Sequence, residues 1–117
     1  MDLQDRLPRL NYAVITGVVK KRTSIFLTRR GTPVIHLLVE TRVETDYKEK
    51  STSDYEIRVD IWGNAARVLD ERLKEGTGIL AEGILAHKEV EDYGGGVHYQ
   101  NVLRARRVEI LIQERKA

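Results

Sequence analysis

The sequence has no cysteine, two prolines, one tryptophan, one phenylalanine and one methionine among its 117 residues. Without thiols it can form neither a disulfide nor a thiolate metal site. No apolar run approaches the roughly 18 residues that a membrane-spanning helix needs, and the first residues lack the apolar segment of a secretory leader. A cytoplasmic protein is the default expectation. There is no low-complexity tract and no repeat of fixed period. The histidines His36, His87 and His98 stand apart, with no pair at the helical spacing of a metal site. No Gly-rich phosphate loop precedes a helix, because Gly94-Gly95-Gly96 falls in a predicted hairpin. No Ser–His–acid set stands out. The expectation is a protein that is not an enzyme and carries no metal or cofactor.

What is present is a soluble, charged, single domain. Hydrophobic residues make up 41% and charged residues 32%, and the net charge is +2. The basic residues are clustered: Lys20, Lys21, Arg22, Arg29 and Arg30 early, and Arg104, Arg106, Arg107, Arg115 and Lys116 late. The acids gather between Glu40 and Glu56 and around Glu89 to Asp92. Such basic runs are either solvated surface or the footprint of a polyanion.

The clearest local signal runs from Tyr55 to Lys88. Ile57, Val59 and Ile61 alternate with Arg58, Asp60 and Trp62, the period of a half-buried strand. That alternation puts the sole tryptophan on the polar side, in register with Arg58. Gly63 then allows a turn, and Asn64 has the chemistry of an N-cap. Residues Ala65 to Glu75 read as a helix with Ala65, Val68, Leu69 and Leu73 on one stripe, stopped at Gly76. A further strand alternates Ile79, Ala81, Gly83 and Leu85 against Leu80, Glu82, Ile84 and Ala86.

Residues 1–10 read as an N-terminal arm. Asn11 to Lys20 reads as a first strand, apolar on both faces: Tyr12, Val14 and Val18 on one, Ala13, Ile15 and Val19 on the other. Such a strand expects cover on both sides, from the core and from a partner subunit. Gly17 predicts a bulge or sharp bend. Lys21 to Arg30 reads as a basic strand around Ile25, Phe26 and Leu27, followed by a turn at Gly31-Thr32-Pro33. Val34 to Val43 reads as a strand with Ile35, Leu37, Val39 and Thr41 inward and Val34, His36, Leu38, Glu40 and Arg42 outward. The charged stretch Glu44 to Asp54 reads as a long mobile loop, and Glu91 to Gly96 as a hairpin tip. The last strand, Val97 to Leu111, loses its pattern near Arg106 and Arg107, as a bulge would. Residues 113–117 read as a short polar tail. About five strands, with one helix between the third and fourth, specify a mainly all-β domain: the five-stranded Greek-key OB-fold barrel over residues 11–112.

Several stretches in that order resemble the bacterial single-stranded DNA-binding protein family. They are Asn11 with Gly17, Gly31-Thr32-x-Val34, Ile57-Arg58-Val59-x-Ile61-Trp62-Gly63, Leu73-Lys74-Glu75-Gly76, Glu82-Gly83-x-Leu85, and Tyr99 with Val108-x-Ile110-Leu111. The resemblance implies a barrel that stacks bases on aromatic side chains. Trp62 falls on one of the family's aromatic positions. The others fall near Thr45, Glu56 and Val90, none aromatic, with Tyr47 and Tyr55 close by. Long family members also carry an acidic-tipped tail, whereas this chain ends Gln113-Glu114-Arg115-Lys116-Ala117. On both counts it is similar to a short, tail-less member and to primosomal replication protein N.

Single-strand binding needs cations for phosphates and rings for bases. The candidate rings are Trp62, Tyr47, Tyr55, Tyr93 and Tyr99. The candidate cations are Lys20, Lys21, Arg22, Arg29 and Arg30, together with Arg58, Lys88, Arg104 and Arg106. With few rings, binding is expected to be modest and steeply salt-dependent. Tyr12, Val14, Val18, Val34 and Leu38 are the candidate interface of a homo-dimer or homo-tetramer. The leading expectation is non-catalytic binding of single-stranded DNA in replication, recombination or repair, in the cytoplasm and at the nucleoid, with no membrane or small-molecule partner. The alternative is a primosomal-type barrel that docks replication or primosome proteins and binds DNA or RNA weakly.

Overall fold

The computed structural model describes residues 2–46, 51–91 and 93–113. Six strands and two short helices follow in the order α1 (Leu3–Arg6), β1 (Ala13–Arg22), β2 (Phe26–Leu27), β3 (Pro33–Asp46), β4 (Ser51–Trp62), α2 (Asn64–Leu69), β5 (Gly78–Glu91) and β6 (Val97–Ile112). The strands join in the order β1-β5-β6-β4-β3-β2, and an additional β1–β3 pairing closes the five long ones into a barrel. Among the described strands, only β4 and β6 pair in parallel. This is the expected OB fold, with its helix between the third and fourth long strands.

Alternation fills the barrel. Ile35, Leu37 and Val39 of β3, Val59 and Ile61 of β4, Ile79 and Ala81 of β5 and Leu103 of β6 form one buried cluster. Val19 joins from β1, and Ala66, Leu69 and Leu73 close it from α2 and the turn beyond. Two glycines let strands cross closely. A Cβ on Gly17 would lie 2.5 Å from the Glu40 carbonyl oxygen, where β1 leaves β5 to pair with β3. A Cβ on Gly83 would lie 2.0 Å from the Arg104 carbonyl oxygen. At that point the β5–β6 register steps from Glu82↔Arg107 to Gly83↔Ala105, leaving Arg106 as the extra residue of the expected bulge.

The sequence expectations fail in instructive places. The stretch from Glu44 to Asp54 is not a free loop where it is described. β3 and β4 stay paired to Asp46↔Ser51, and Arg42 Nε and Nη2 donate to Asp54 at 2.7 and 3.1 Å across the ladder. Lys21 and Arg22 belong to β1, so the basic strand shrinks to Phe26–Leu27. Residues 3–6 of the arm form a helical turn that buries nothing, its Gln4 amide capped by Asp2.

Gly63, at φ 78°, occupies the N-cap of α2 without a side-chain cap, and Asn64 is already helical. Helix α2 ends at Leu69, where Arg72 and Leu73 amides both turn back to the Leu69 carbonyl. Its buried stripe uses Ala66 and leaves Val68 exposed. Val34 was expected to face outward towards a partner, yet it is fully buried. Its ladder neighbours, one on either side, are Phe26 of β2 and Trp62 of β4.

Candidate nucleic-acid interface

Because directly opposed residues share a face, the register defines the outer surface of β3, β4 and β6. One row runs His36↔Asp60↔Arg104; a second runs Lys21↔Leu38↔Arg58↔Val102; a third runs Phe26↔Val34↔Trp62. Trp62 ends β4 and is 39% exposed, with the Arg104 guanidinium 5.3 Å from its ring centroid. That cation–π contact holds a ring and a positive charge together at the surface. Beside them, Lys21, Thr23, His36, Leu38, Arg58 and Gln100 line a groove of about 340 Å³.

Two residues of the groove, His36 and Arg58, share one buried acid. Asp60 is 2% exposed, and its Oδ1 accepts from Arg58 Nε at 3.0 Å and lies 2.6 Å from His36 Nδ1. A carboxylate only accepts, so Nδ1 of His36 carries the proton and Nε2 is left as an acceptor in the neutral ring. Burial pushes the His36 imidazole below its usual range; the hydrogen bond to Asp60 works the other way, while the nearby charges of Arg58 and Lys88 add to the lowering. Asp60 therefore orients two groups of the face without presenting its own charge to solvent.

The other expected binding residues scatter. Arg22 is committed to the fold: Nη1 donates to the carbonyls of Asp70 and Leu73 at 2.6 and 2.9 Å, and the guanidinium pairs with the Asp70 carboxylate. Lys20 sits at the β1 irregularity between Val19 and Lys21. Arg29 and Arg30 are exposed in the turn before β3, and Lys88 lies opposite Gln100 on the β5–β6 hairpin. Arg106 is the exposed bulge residue, while Arg107 pairs with Glu82 at 3.0 Å and with Glu109 at 3.3 Å.

Among the rings, Tyr55 lies opposite Thr41 on the core-side parity of β4, exposed where the β3–β4 hairpin passes beyond the barrel rim. Tyr99 stacks on His87 at 5.4 Å along the β5–β6 hairpin, and Tyr93 is fully exposed near its tip. Tyr47 lies outside the described residues. Tyr55, Tyr93 and Tyr99 are not gathered on the face of Trp62. Two further rings are on it: His36, which the alternation of β3 already turned outward, and Phe26, which sequence reasoning did not place there; their rings lie 5.1 Å apart at 54°. The available signal was a ring inside a basic segment, between Arg22 and Arg29.

The candidate interface residues also separate. Tyr12, Val14 and Val18 are exposed on the outer side of β1, beside Leu80 and Glu82 of β5, and the Tyr12 hydroxyl bonds the Glu82 carboxylate. Leu38 lies instead in the groove, between Lys21 and Arg58. Among the described residues no group of side chains is arranged to hold a metal ion, and no helix is long and apolar enough to cross a membrane.

The barrel superposes on a deletion variant of the single-stranded DNA-binding protein from Thermus aquaticus with a TM-score of 0.72 at 21% identity. The match covers 88% of this chain and 51% of that one, so the chain spans about half the length of that protein. No curated protein sequence matches it. The sequence model of the single-strand binding protein family matches residues 10–111, nearly the whole barrel with its groove and Trp62, and the chain therefore belongs to that family of non-catalytic proteins.

Proposed function

We propose that this chain binds single-stranded DNA, without catalysis, through the outer face of β3, β4 and β6. The observation that carries the reading is Trp62: a half-exposed ring under Arg104, beside a groove lined by Lys21 and Arg58, on a barrel of the single-strand binding family. Bases stack on the ring and phosphates pair with the cations. Such binding would hold exposed strands during replication, recombination or repair, at the nucleoid. The apolar side of β1, with Tyr12, Val14 and Val18, is the surface for a second copy of the chain.

The sole tryptophan provides the test. Oligo-dT should quench Trp62 fluorescence and duplex DNA should not, with a slope of log affinity against log salt of about −0.7 for each phosphate neutralised. Trp62→Ala should weaken binding of a labelled oligonucleotide by roughly 5- to 150-fold, the range that one stacked base contributes in strand-binding proteins of this kind. No quenching and no binding at low salt would sink this reading. It would favour a barrel that docks proteins of the primosome type, which the apolar β1 face also suits.

A further inference from the structure

We propose that Phe26 is a second base-stacking ring, paired with Trp62 across Val34; the inference rests on the strand-binding reading above. Among the described residues, Trp62 is the other half-exposed aromatic side chain of this ladder row, and Phe26 joins it from the shortest strand of the barrel. Phe26↔Val34↔Trp62 is a continuous ladder row, so all three side chains project to the same side. Val34 is fully buried, while Phe26 and Trp62 are 41% and 39% exposed. The result is an apolar floor between two half-open rings.

The ring is held in place rather than left loose. The β2–β3 turn is closed by the Thr28 amide on the Thr32 carbonyl at 2.9 Å and the Gly31 amide on the Thr28 carbonyl at 2.9 Å. His36 lies against the Phe26 ring and is itself fixed by Asp60 and by Thr23, whose Oγ1 accepts from the His36 amide at 3.0 Å. A ring with preset orientation loses little freedom when a base stacks on it. Trp62 also has a cation at hand in Arg104, and the exposed turn that follows Phe26 carries Arg29 and Arg30.

The spacing selects single strands. Adjacent strands lie about 4.8 Å apart, so residues two ladders apart are separated by roughly 10 Å. Neighbouring bases in a duplex are about 3.4 Å apart. Two rings this far apart take bases that have been splayed from one another, which a duplex cannot offer without unpairing.

The test compares Phe26→Leu, which keeps an apolar side chain but loses the ring, with Phe26→Tyr, which keeps the ring. Phe26→Leu should weaken binding of labelled oligo-dT by roughly 5- to 150-fold, and Phe26→Tyr by under about threefold. With an abasic oligonucleotide the Phe26→Leu penalty should vanish, since only phosphate contacts remain. A Phe26→Trp, Trp62→Phe double variant, confirmed as folded by its thermal melt, should be quenched by saturating oligo-dT. If Phe26→Leu binds like the parent while Trp62→Ala is weakened, this inference falls and the strand-binding reading stands. An equal Phe26→Leu loss on abasic strand, or no quenching of the double variant at saturation, would overturn it as well. If the parent protein binds no strand at all, the reading itself fails first.

Discussion

The barrel has two unlike outer faces. On β3, β4 and β6, cations stand beside rings and a groove: Arg104 covers Trp62, and Lys21 and Arg58 flank Leu38. On β1, β5 and the end of β6, Lys20 stands exposed, but the charges around Glu82 are spent on one another. Arg107 pairs with Glu82 and Glu109, the Tyr12 hydroxyl also bonds Glu82, and what remains open is Val14, Val18 and Leu111. The first face keeps positive charge available for a polyanion. The second offers apolar area with its polar groups already satisfied, the usual preparation for burial against protein. Counting basic residues cannot tell these faces apart; which partner each arginine has does so.

The comparison can be broken most severely through the arginines themselves. Arg58→Met leaves the buried Asp60 with His36 alone, and removing one partner of a buried pair should destabilise the fold by about 3 kcal/mol. Arg107→Met breaks exposed pairs and should cost under about 1 kcal/mol. Urea denaturation of the two variants reads the difference, and equal losses would contradict the contrast between the faces. Next in size, Val14→Asp should raise the dissociation constant of a homo-oligomer more than roughly tenfold, because a carboxylate would enter an apolar contact. Sedimentation at several concentrations measures this. Binding of oligonucleotide by each barrel should stay within about threefold, since Val14 is on the other face.

The smallest effect is a pH dependence. The His36 imidazole in the fold sits below its ordinary pKa, chiefly through burial, so below about pH 6.5 the unfolded chain takes up the proton first. The stability that His36 contributes is therefore complete above that pH and is lost as pH falls through the lowered value. Melting curves between pH 7.5 and 5 should show the parent losing more stability than His36→Gln. A variant with an unchanged slope would exclude His36 as the group responsible.

Much of this was legible in the chain. The alternation of Ile57, Val59 and Ile61 specified β4 and the side on which Trp62 stands, and the faltering pattern at Arg106 marked a real bulge. The β3–β4 extension escaped because its described side chains, 42–44 and 52–54, are exposed and leave no apolar alternation to read. Phe26 escaped because two residues of strand are too few to show a period. Val34 alternates correctly to the outside but is buried between two other strands, opposite Phe26 and Trp62, a fact that no single strand contains. The cap of α2 was misassigned because the backbone of Gly63, rather than the side chain of Asn64, sets where that helix begins.

The bulge at Arg106 has a consequence for how far this sequence can vary. It shifts the phase of β6 by one residue, so Leu103 and Ala105 point inward before it and Val108 and Ile110 after it. Gly83 makes room for the displaced backbone opposite. The two positions therefore form one unit of inheritance. Pairing Arg106 regularly, without the bulge, would turn the end of β6 inside out, whereas deleting it would keep the facing but remove the bend; giving Gly83 a side chain would block the space that the extra residue needs. A homologue or a design that gives Gly83 a side chain can keep the barrel only by moving the bulged backbone of β6 away from it.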